Sequence, residues 1–479
     1  MSKRVVILGG GVAGLAAAYR LLQLQPDWQV TILEKAERVG GLAVGWRNQE
    51  FAADLGPHRI YTELPEIEAL LPELISKDQM LTVQRRSELL LNGHFYQYPV
   101  RASELLRVMG IVRMTRFGLS AVAGKLRGLM GRPRNYEDAM IANFGRAVYE
   151  VIVEPYTRKV WKIAPRDLSD EVARVRVSAG NVNRLVRQLL SRSEGRKGTQ
   201  SALSSFAYIR GGVEGLVKSL ESKAVASGTR IETLQDVTGF AVTDDSIAAV
   251  ETHSGSVSER ASVDYVISTL PITDLVEMLQ QERPEPGAAE AAKGLVYVGL
   301  ILVALIVRRA QFSTNSWIYF PEEEFVFNRS YEPRNFDPSM APADRTMVVF
   351  EVTARWDEDL WKRSDPEIIQ RVTSDALRTG LLREDEIETA FSVRVPHTYP
   401  LYSTDYQARL SNVFGYLRQF SNLVTTGRQG LFNHNNMDHS MLMGIRAAET
   451  ISDAAIEHTD AAAHWYDNLE QFKDFRIVD

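Results

Sequence analysis

Gly9, Gly11 and Gly14 stand at the spacing GxGxxG, and a carboxylate, Glu34, follows twenty residues after the last of them. In such a pattern the first glycine permits a tight turn and the second lets backbone approach a pyrophosphate. The third lets a helix lie close against a strand, and the acid accepts hydrogen bonds from an adenosine ribose. The chemistry implied is dinucleotide binding. Far along the chain, GRQGLFNHNNMDHSM (Gly427 to Met441) gathers three Asn, two His and an Asp directly before a helical pattern. Asn436 and Asp438 are candidate N-caps there, and the open NH groups of that helix end would favour negative charge. Other chemistries are excluded. There is no cysteine, hence no disulfide, thiolate catalysis or Cys-ligated metal. The eight His have neither HxxxH nor HExxH spacing, so no metal site is expected.

The elements that must position these residues are legible around them. KRVVILGGGVAGLAAAYRLLQ reads as strand, glycine turn and helix, and WQVTILEK as the strand that delivers Glu34. At 479 residues the chain exceeds one compact core, so two domains are expected. Composition is that of a globular protein, and the net charge of -6 gives no support for nucleic-acid binding. The start, MSKRVVILGGG, lacks the apolar core and cleavage site of a signal peptide. The longest apolar run, Gly294 to Val307, is too short to cross a membrane and rich in β-branched residues, so it is read as a buried strand. A cytoplasmic protein is the expectation.

Beyond Glu34 the signature extends to Arg38, Gly40 and Gly41. This resembles the FAD-binding pattern of the amine oxidase and protoporphyrinogen oxidase superfamily. The resemblance implies FAD as cofactor, with Lys35, Arg38, Gly41 and Leu42 joining the glycines and Glu34 in holding it, and Arg38 lending charge to the diphosphate. It also implies a backbone contact to adenine from Val237. The fold expected is α/β: a Rossmann-like three-layer FAD-binding domain with an inserted helical and antiparallel-sheet substrate domain. The FAD domain would be discontinuous, 1–90, 201–275 and 400–479. The helical insertion would be 91–200 and the mainly strand insertion 276–399.

Further segments narrow the resemblance. ADLGPHRIYT, EPYTRKVWKIAP, VFNRSYEP, HTYPLYSTDY and NNMDHSM occur in an order that resembles UDP-galactopyranose mutases, their eukaryotic-type branch above all. That resemblance implies a pyranose/furanose mutase acting on a nucleotide-diphosphate sugar, with N5 of the reduced flavin as nucleophile toward the anomeric carbon. NAD(P)H is then the candidate external reductant. It places His58, after the turn Gly56–Pro57, beside the flavin. It places Gly427, Arg428, Asn436, Met437, Asp438, Ser440 and Met441 along the cofactor. Arg329, Arg428 and Arg176 (or its neighbour Arg174) become the diphosphate clamp, a task suited to a permanently charged, bidentate donor. Tyr399, Trp161 and Trp317 become substrate neighbours. Where mutases carry a Tyr after the Gly–Arg pair, this chain has Phe432, Asn433 and His434, and His434 is the candidate substitute donor. Such relatives often form oligomers, and no residue decides that point here. The alternative is a flavin oxidase, dehydrogenase or desaturase of the protoporphyrinogen oxidase kind, acting on an apolar or polyprenyl-linked substrate.

One stretch fits neither reading. Arg101 to Arg134 holds eight basic residues and one acid among apolar ones. Two readings stand for 101–134: helices with a solvated basic face, or a peripheral contact with anionic lipid.

Overall fold

The computed structural model describes residues 2–48, 50–98, 102–129, 131–176, 205–255, 257–473 and 475. Among them, five strands form a parallel sheet in the order Leu423–Thr425, Tyr265–Ser268, Arg4–Leu8, Gln29–Leu33 and Arg230–Glu232. Three distant parts of the chain therefore share one sheet. Its strands are apolar on both faces because both are covered, one by the helices Val12–Leu24 and Met437–Glu457, the other by Ile272–Leu279 and a three-stranded antiparallel layer. The glycine turn after Leu8 leads into the helix Val12–Leu24. That helix packs directly on Met437–Glu457, so closely that a Cβ at Gly444 would overlap the Ala13 carbonyl oxygen. Arg20 and Glu449, 429 residues apart, hydrogen-bond across this junction at 2.8 Å. A three-stranded meander, Asp236–Thr243, Ser246–Ser254 and Val257–Ser262, turns first at Asp244, whose φ of 51° is of the left-handed kind such hairpins need.

The second large sheet has seven strands among the described residues. Their order is Ile387–Pro400, Tyr297–Val307, Thr346–Ala354, Arg329–Tyr331, Trp317–Tyr319, Ser87–Leu91 and His94–Gln97. Tyr297–Val307 is buried along its whole length, which explains its unbroken apolar sequence. Two details differ from the sequence reading. The pair Trp317–Tyr319 and Ser87–Leu91 runs parallel, not antiparallel. Ser87–Leu91 and His94–Gln97 also lie in this sheet, not with the parallel one or the helices. Alternating burial along SELLL and HFYQ is weak over so few residues, so the pattern does not reveal which sheet they join.

The helical part comprises Ala102–Leu129, broken at Gly110 (φ 77°), then Tyr136–Phe144, Arg146–Val148, a π-turn at Tyr149–Val153, and Glu154–Trp161. Lys159 pegs the last of these to the seven-stranded sheet: its ammonium donates to the carbonyls of Phe320 (2.7 Å), Phe327 (3.3 Å) and Glu322. Trp161 is fixed two residues beyond that peg. The helix Met437–Glu457 begins after Asn436, whose NH donates to His439 Nδ1 at 3.2 Å, and a further helix, Ala461–Asp467, follows it.

Candidate functional site

Parallel sheet, seven-stranded sheet and helices meet around one cleft of about 2220 Å³. This exceeds the few hundred to a thousand Å³ of a single-ligand pocket, so it has room for a cofactor and a second molecule. At one end lies the glycine turn. A Cβ at Gly9 (φ 95°) would overlap the Thr269 hydroxyl, and one at Gly14 would overlap the Gly9 carbonyl oxygen, so both positions require glycine. Gly40 NH donates to Gly10 O at 2.8 Å and ties the second glycine pair beneath the first. Above Gly11 only the Gly41 Cα lies near, at 3.9 Å, leaving bare backbone on the cleft wall. Glu34 accepts from Gly10 NH (2.8 Å) and Ala36 NH (2.9 Å), one amide per oxygen. A carboxylate has about four lone-pair sites, so acceptor capacity remains for a ribose. Lys35, Leu42, Val237 and Gly427 also line the cleft, with Lys35 ion-paired to Asp236 at 2.8 Å.

Three expected cofactor neighbours stand elsewhere. Arg38 is turned to Glu214 (3.2 Å) and the Gly45 carbonyl, so it braces the Gly40–Gly41 loop from behind and does not line the cleft. Met441 is fully buried in the core beneath the parallel sheet, and Asp438 is buried beside His439; neither lines the cleft. Met437, Ser440, Asn435 and Asn436 do line it, so the positive end of a 21-residue helix opens there.

His58 lies on the cleft wall with Gly56 and Pro57. Its loop is held by a buried network: Tyr331 OH donates to the Asp54 carbonyl (2.6 Å) and accepts from Gly56 NH (3.2 Å). The Asp54 carboxylate accepts from Tyr208 OH (2.7 Å) and Val213 NH (3.0 Å). Burial pushes the Asp54 carboxyl up to about 6, against these hydrogen bonds. Removal from water, then the Arg428 and Arg329 charges, brings the His58 imidazole down to about 4. His58 is therefore neutral at neutral pH. Tyr208 and Tyr331 went unnoticed in the sequence because buried Tyr is usually core, and only the approach of the Asp54 loop gives these two a task.

Also lining the cleft, Tyr399 is stacked on His434 (5.6 Å) and edge-on to Trp161 (6.3 Å), with the Arg428 guanidinium 5.4 Å from its ring. Gly427 (φ 76°) turns the chain so that Arg428 donates to Thr398 O (2.9 Å) and Asn435 O (2.7 Å). This joins the end of the strand Ile387–Pro400 to the loop before the helix Met437–Glu457. Arg329 also reaches the cleft but makes a bidentate pair with buried Glu351, at 3.0 and 2.7 Å, set by the strand register Arg329–Glu351. Burial opposes its charge, yet Glu351 outweighs burial and holds the guanidinium protonated well above its usual range. The pair brings almost no net charge, which corrects the picture of Arg329 as an uncommitted clamp. Arg174 is exposed, pairs with Asp170 at 3.4 Å and does not line the cleft. Arg176 ends the helix Glu171–Arg176, and its side chain lies outside the described residues. Trp317 is buried between the guanidinium groups of Arg85 (5.4 Å) and Arg59 (5.9 Å), and Arg86 lines the cleft with them. These three arginines were missed. Their signal was QRR before a strand and GPHR after a turn, too common to single out.

A second limb of the cleft is apolar, lined by Met140, Phe144, Val148, Ile152 and Val153 from the helical part.

The helix that follows the glycine turn opens a much longer correspondence. A model of the flavin containing amine oxidoreductases matches residues 12–452. The chain belongs to that family. It is an FAD-dependent enzyme of the amine oxidase superfamily. The cradle fits such a cofactor: glycines that no side chain could replace, bare backbone at Gly11 and Gly41, Glu34 with spare acceptors, and two helix N-termini opening on the cleft. The flavoenzyme is 23% identical over 439 residues to protoporphyrinogen oxidase 2, chloroplastic/mitochondrial, of Arabidopsis thaliana, covering 85% of each chain. Among solved structures it is similar to reduced UDP-galactopyranose mutase (TM-score 0.78, 20% identity, 100% of this chain and 99% of that one). It is also similar to a CLA-producing fatty acid isomerase from P. acnes (TM-score 0.61, 16% identity, 93% and 98%). At such identities the structural likenesses show the fold.

Proposed function

We propose that the flavoenzyme isomerises a nucleotide-diphosphate sugar between pyranose and furanose forms, with reduced FAD as the active cofactor. The observation that carries this reading is the polar aromatic cluster of Trp161, Tyr399, His434 and Arg428, which lines the same cleft as a neutral His58. Aromatic faces suit a sugar or base, and fixed guanidinium groups suit a diphosphate. Arg428 is held rigid by two carbonyls, and Arg85 and Arg59 flank Trp317, so anionic groups would meet preorganised partners. Arg329, backed by Glu351, would contribute hydrogen-bond direction more than charge. His58, uncharged, offers one donor and one acceptor nitrogen without competing for the anion. The parallel-sheet body would hold FAD, and the seven-stranded sheet with the helices would form the substrate side. When bound, the flavin supplies an electron-rich ring able to act as nucleophile or as redox centre. The full-length similarity to reduced UDP-galactopyranose mutase supports the reading.

The test is to reduce the holoprotein anaerobically, incubate it with UDP- and GDP-hexopyranoses, and separate ring forms by chromatography. Interconversion with the reduced protein only, and no net flavin oxidation, is the expected result. The apolar limb at Phe144, Val148 and Ile152 favours a second reading, an oxidoreductase of an apolar or polyprenyl-linked substrate. Stoichiometric flavin bleaching by such a substrate, without ring interconversion of any nucleotide sugar, would establish it and end the first.

A further inference from the structure

The helix that continues from Ile111 to Leu129 has two opposite faces. Inward, Phe117 is buried, and Gly124 and Gly128 meet Tyr136–Phe144 so closely that a Cβ on Gly124 would overlap the Ile141 carbonyl oxygen. That packing fixes which side of the helix points out. Outward runs an apolar stripe, Val112, Leu119, Val122, Leu126 and Leu129, with Thr115 filling the remaining rung of the three–four spacing. These five apolar side chains are between 60% and 84% exposed. Val108 and Ile111, also exposed, lie just before the row on the same helix; the remaining exposed large apolar residues among those described are scattered, which is normal, whereas an aligned row is not.

Charge decides what covers the row. At 100° per residue, Lys125 flanks the stripe on one side, and Arg116 and Arg127 lie on the other, all exposed, Arg127 within 3.7 Å of Asp138. Between Glu104 and Glu137 the sequence has no acid and seven bases: Arg107, Arg113, Arg116, Lys125, Arg127, Arg132 and Arg134. This occurs in a chain whose net charge is -6. A second copy of the same helix would set these like charges against each other. An apolar ridge with basic flanks instead matches the boundary of an anionic bilayer, where the ridge enters the acyl region and the bases meet lipid phosphates. Among the described residues no helix is long and apolar enough to cross a membrane, so the contact would be in the plane of the surface.

We propose that the helix Ile111–Leu129 seats this enzyme on an anionic lipid surface. The helix packs on the same elements, Tyr136–Phe144 and Arg146–Val148, whose Phe144 and Val148 line the apolar limb of the cleft. Seating would bring that limb next to the lipid. The inference rests on the surface alone and not on which reaction the cleft performs.

The experiment is co-sedimentation of the flavin-loaded protein with vesicles of phosphatidylcholine, with and without phosphatidylglycerol, at low and high salt. Binding to the anionic vesicles only, weakened by salt, is expected. Arg116→Gln and Lys125→Gln combined should lower partitioning roughly thirtyfold, at about 1 kcal/mol for each charge near the surface. Leu119→Ser with Leu126→Ser should lower it at every salt concentration. Both variants should keep wild-type flavin absorbance and melting, since the changed side chains are exposed. Equal binding to neutral vesicles, or no binding to either kind, would overturn the proposal. So would a wild-type dimer in sedimentation velocity that Leu119→Ser with Leu126→Ser turns into monomer, because a second copy would then cover the stripe.

Discussion

The two ends of the cleft are built on different principles. At the cofactor end the decisive groups are backbone: glycines whose missing Cβ atoms make room, and amides held by Gly10–Gly40 and by Glu34. At the other end they are side chains whose charge depends on a partner. Arg329 is matched to Glu351, Arg428 is pinned by two carbonyls, and Arg85 and Arg59 lie against Trp317. A backbone cradle tolerates no substitution but needs few distant residues to specify it. A side-chain wall is set by which strands happen to lie beside each other, so one arginine motif can serve as clamp, brace or surface charge.

That contrast can be broken or sharpened. The largest effect should come from Gly14→Val, which drives a side chain into the Gly9 carbonyl: the folded protein should purify colourless, checked by flavin absorbance alongside circular dichroism. Next, Arg329→Ala should leave flavin bound yet lower unfolding free energy by about 3–5 kcal/mol in urea titrations, because Glu351 stays buried and unpaired. Arg329→Met with Glu351→Leu should restore most of that stability without restoring turnover. A result in which Arg329→Ala is as stable as wild type would mean that the pair does not hold the strands.

The third effect concerns pH. His58 titrates lower in the folded state than unfolded, so the stability it lends is lost as pH falls from about 6.5 toward 4. Asp54 titrates higher when folded, so its contribution is present below about pH 4 and lost as pH rises to about 6. The two slopes oppose over nearly the same window, each worth about 3 kcal/mol, so these two contributions should nearly cancel there. Asp54→Asn should expose a stability that falls on acidification. His58→Asn should expose one that falls as pH rises. Denaturant midpoints between pH 4 and 6.5 decide the matter. The smallest effect belongs to Arg174→Ala: an exposed ion pair is worth about 0–1 kcal/mol, and turnover should stay within about twofold of wild type. A large loss of turnover would bring Arg174 back into the site.

How much of this was legible in the sequence follows the same division. The glycine turn, the strand bearing Glu34 and the helix after Asn436 are local patterns, and each lies where its spacing put it. The long strand Tyr297–Val307 was recognisable because full burial leaves a continuous apolar run. Arg38 was misread because its partner, Glu214, is 176 residues away and belongs to a helix that no local pattern connects to it. Arg329 was correctly brought to the cleft, but Glu351 joins it only through strand register. Met441 and Asp438 share a helix turn with lining residues, and helical rotation turns them inward while Met437 and Ser440 face the cleft. Ser87–Leu91 is too short for its alternation to tell one sheet from another.

The close packing of Gly444 on Ala13 also bears on how the molecule is made. A ribosome delivers the glycine turn first and the helix that must close over it more than four hundred residues later. Until then the strand Tyr265–Ser268 has no Leu423–Thr425 beside it and keeps a bare edge. FAD capture therefore belongs to the end of synthesis, and nascent or truncated chains should emerge without colour and open to proteases.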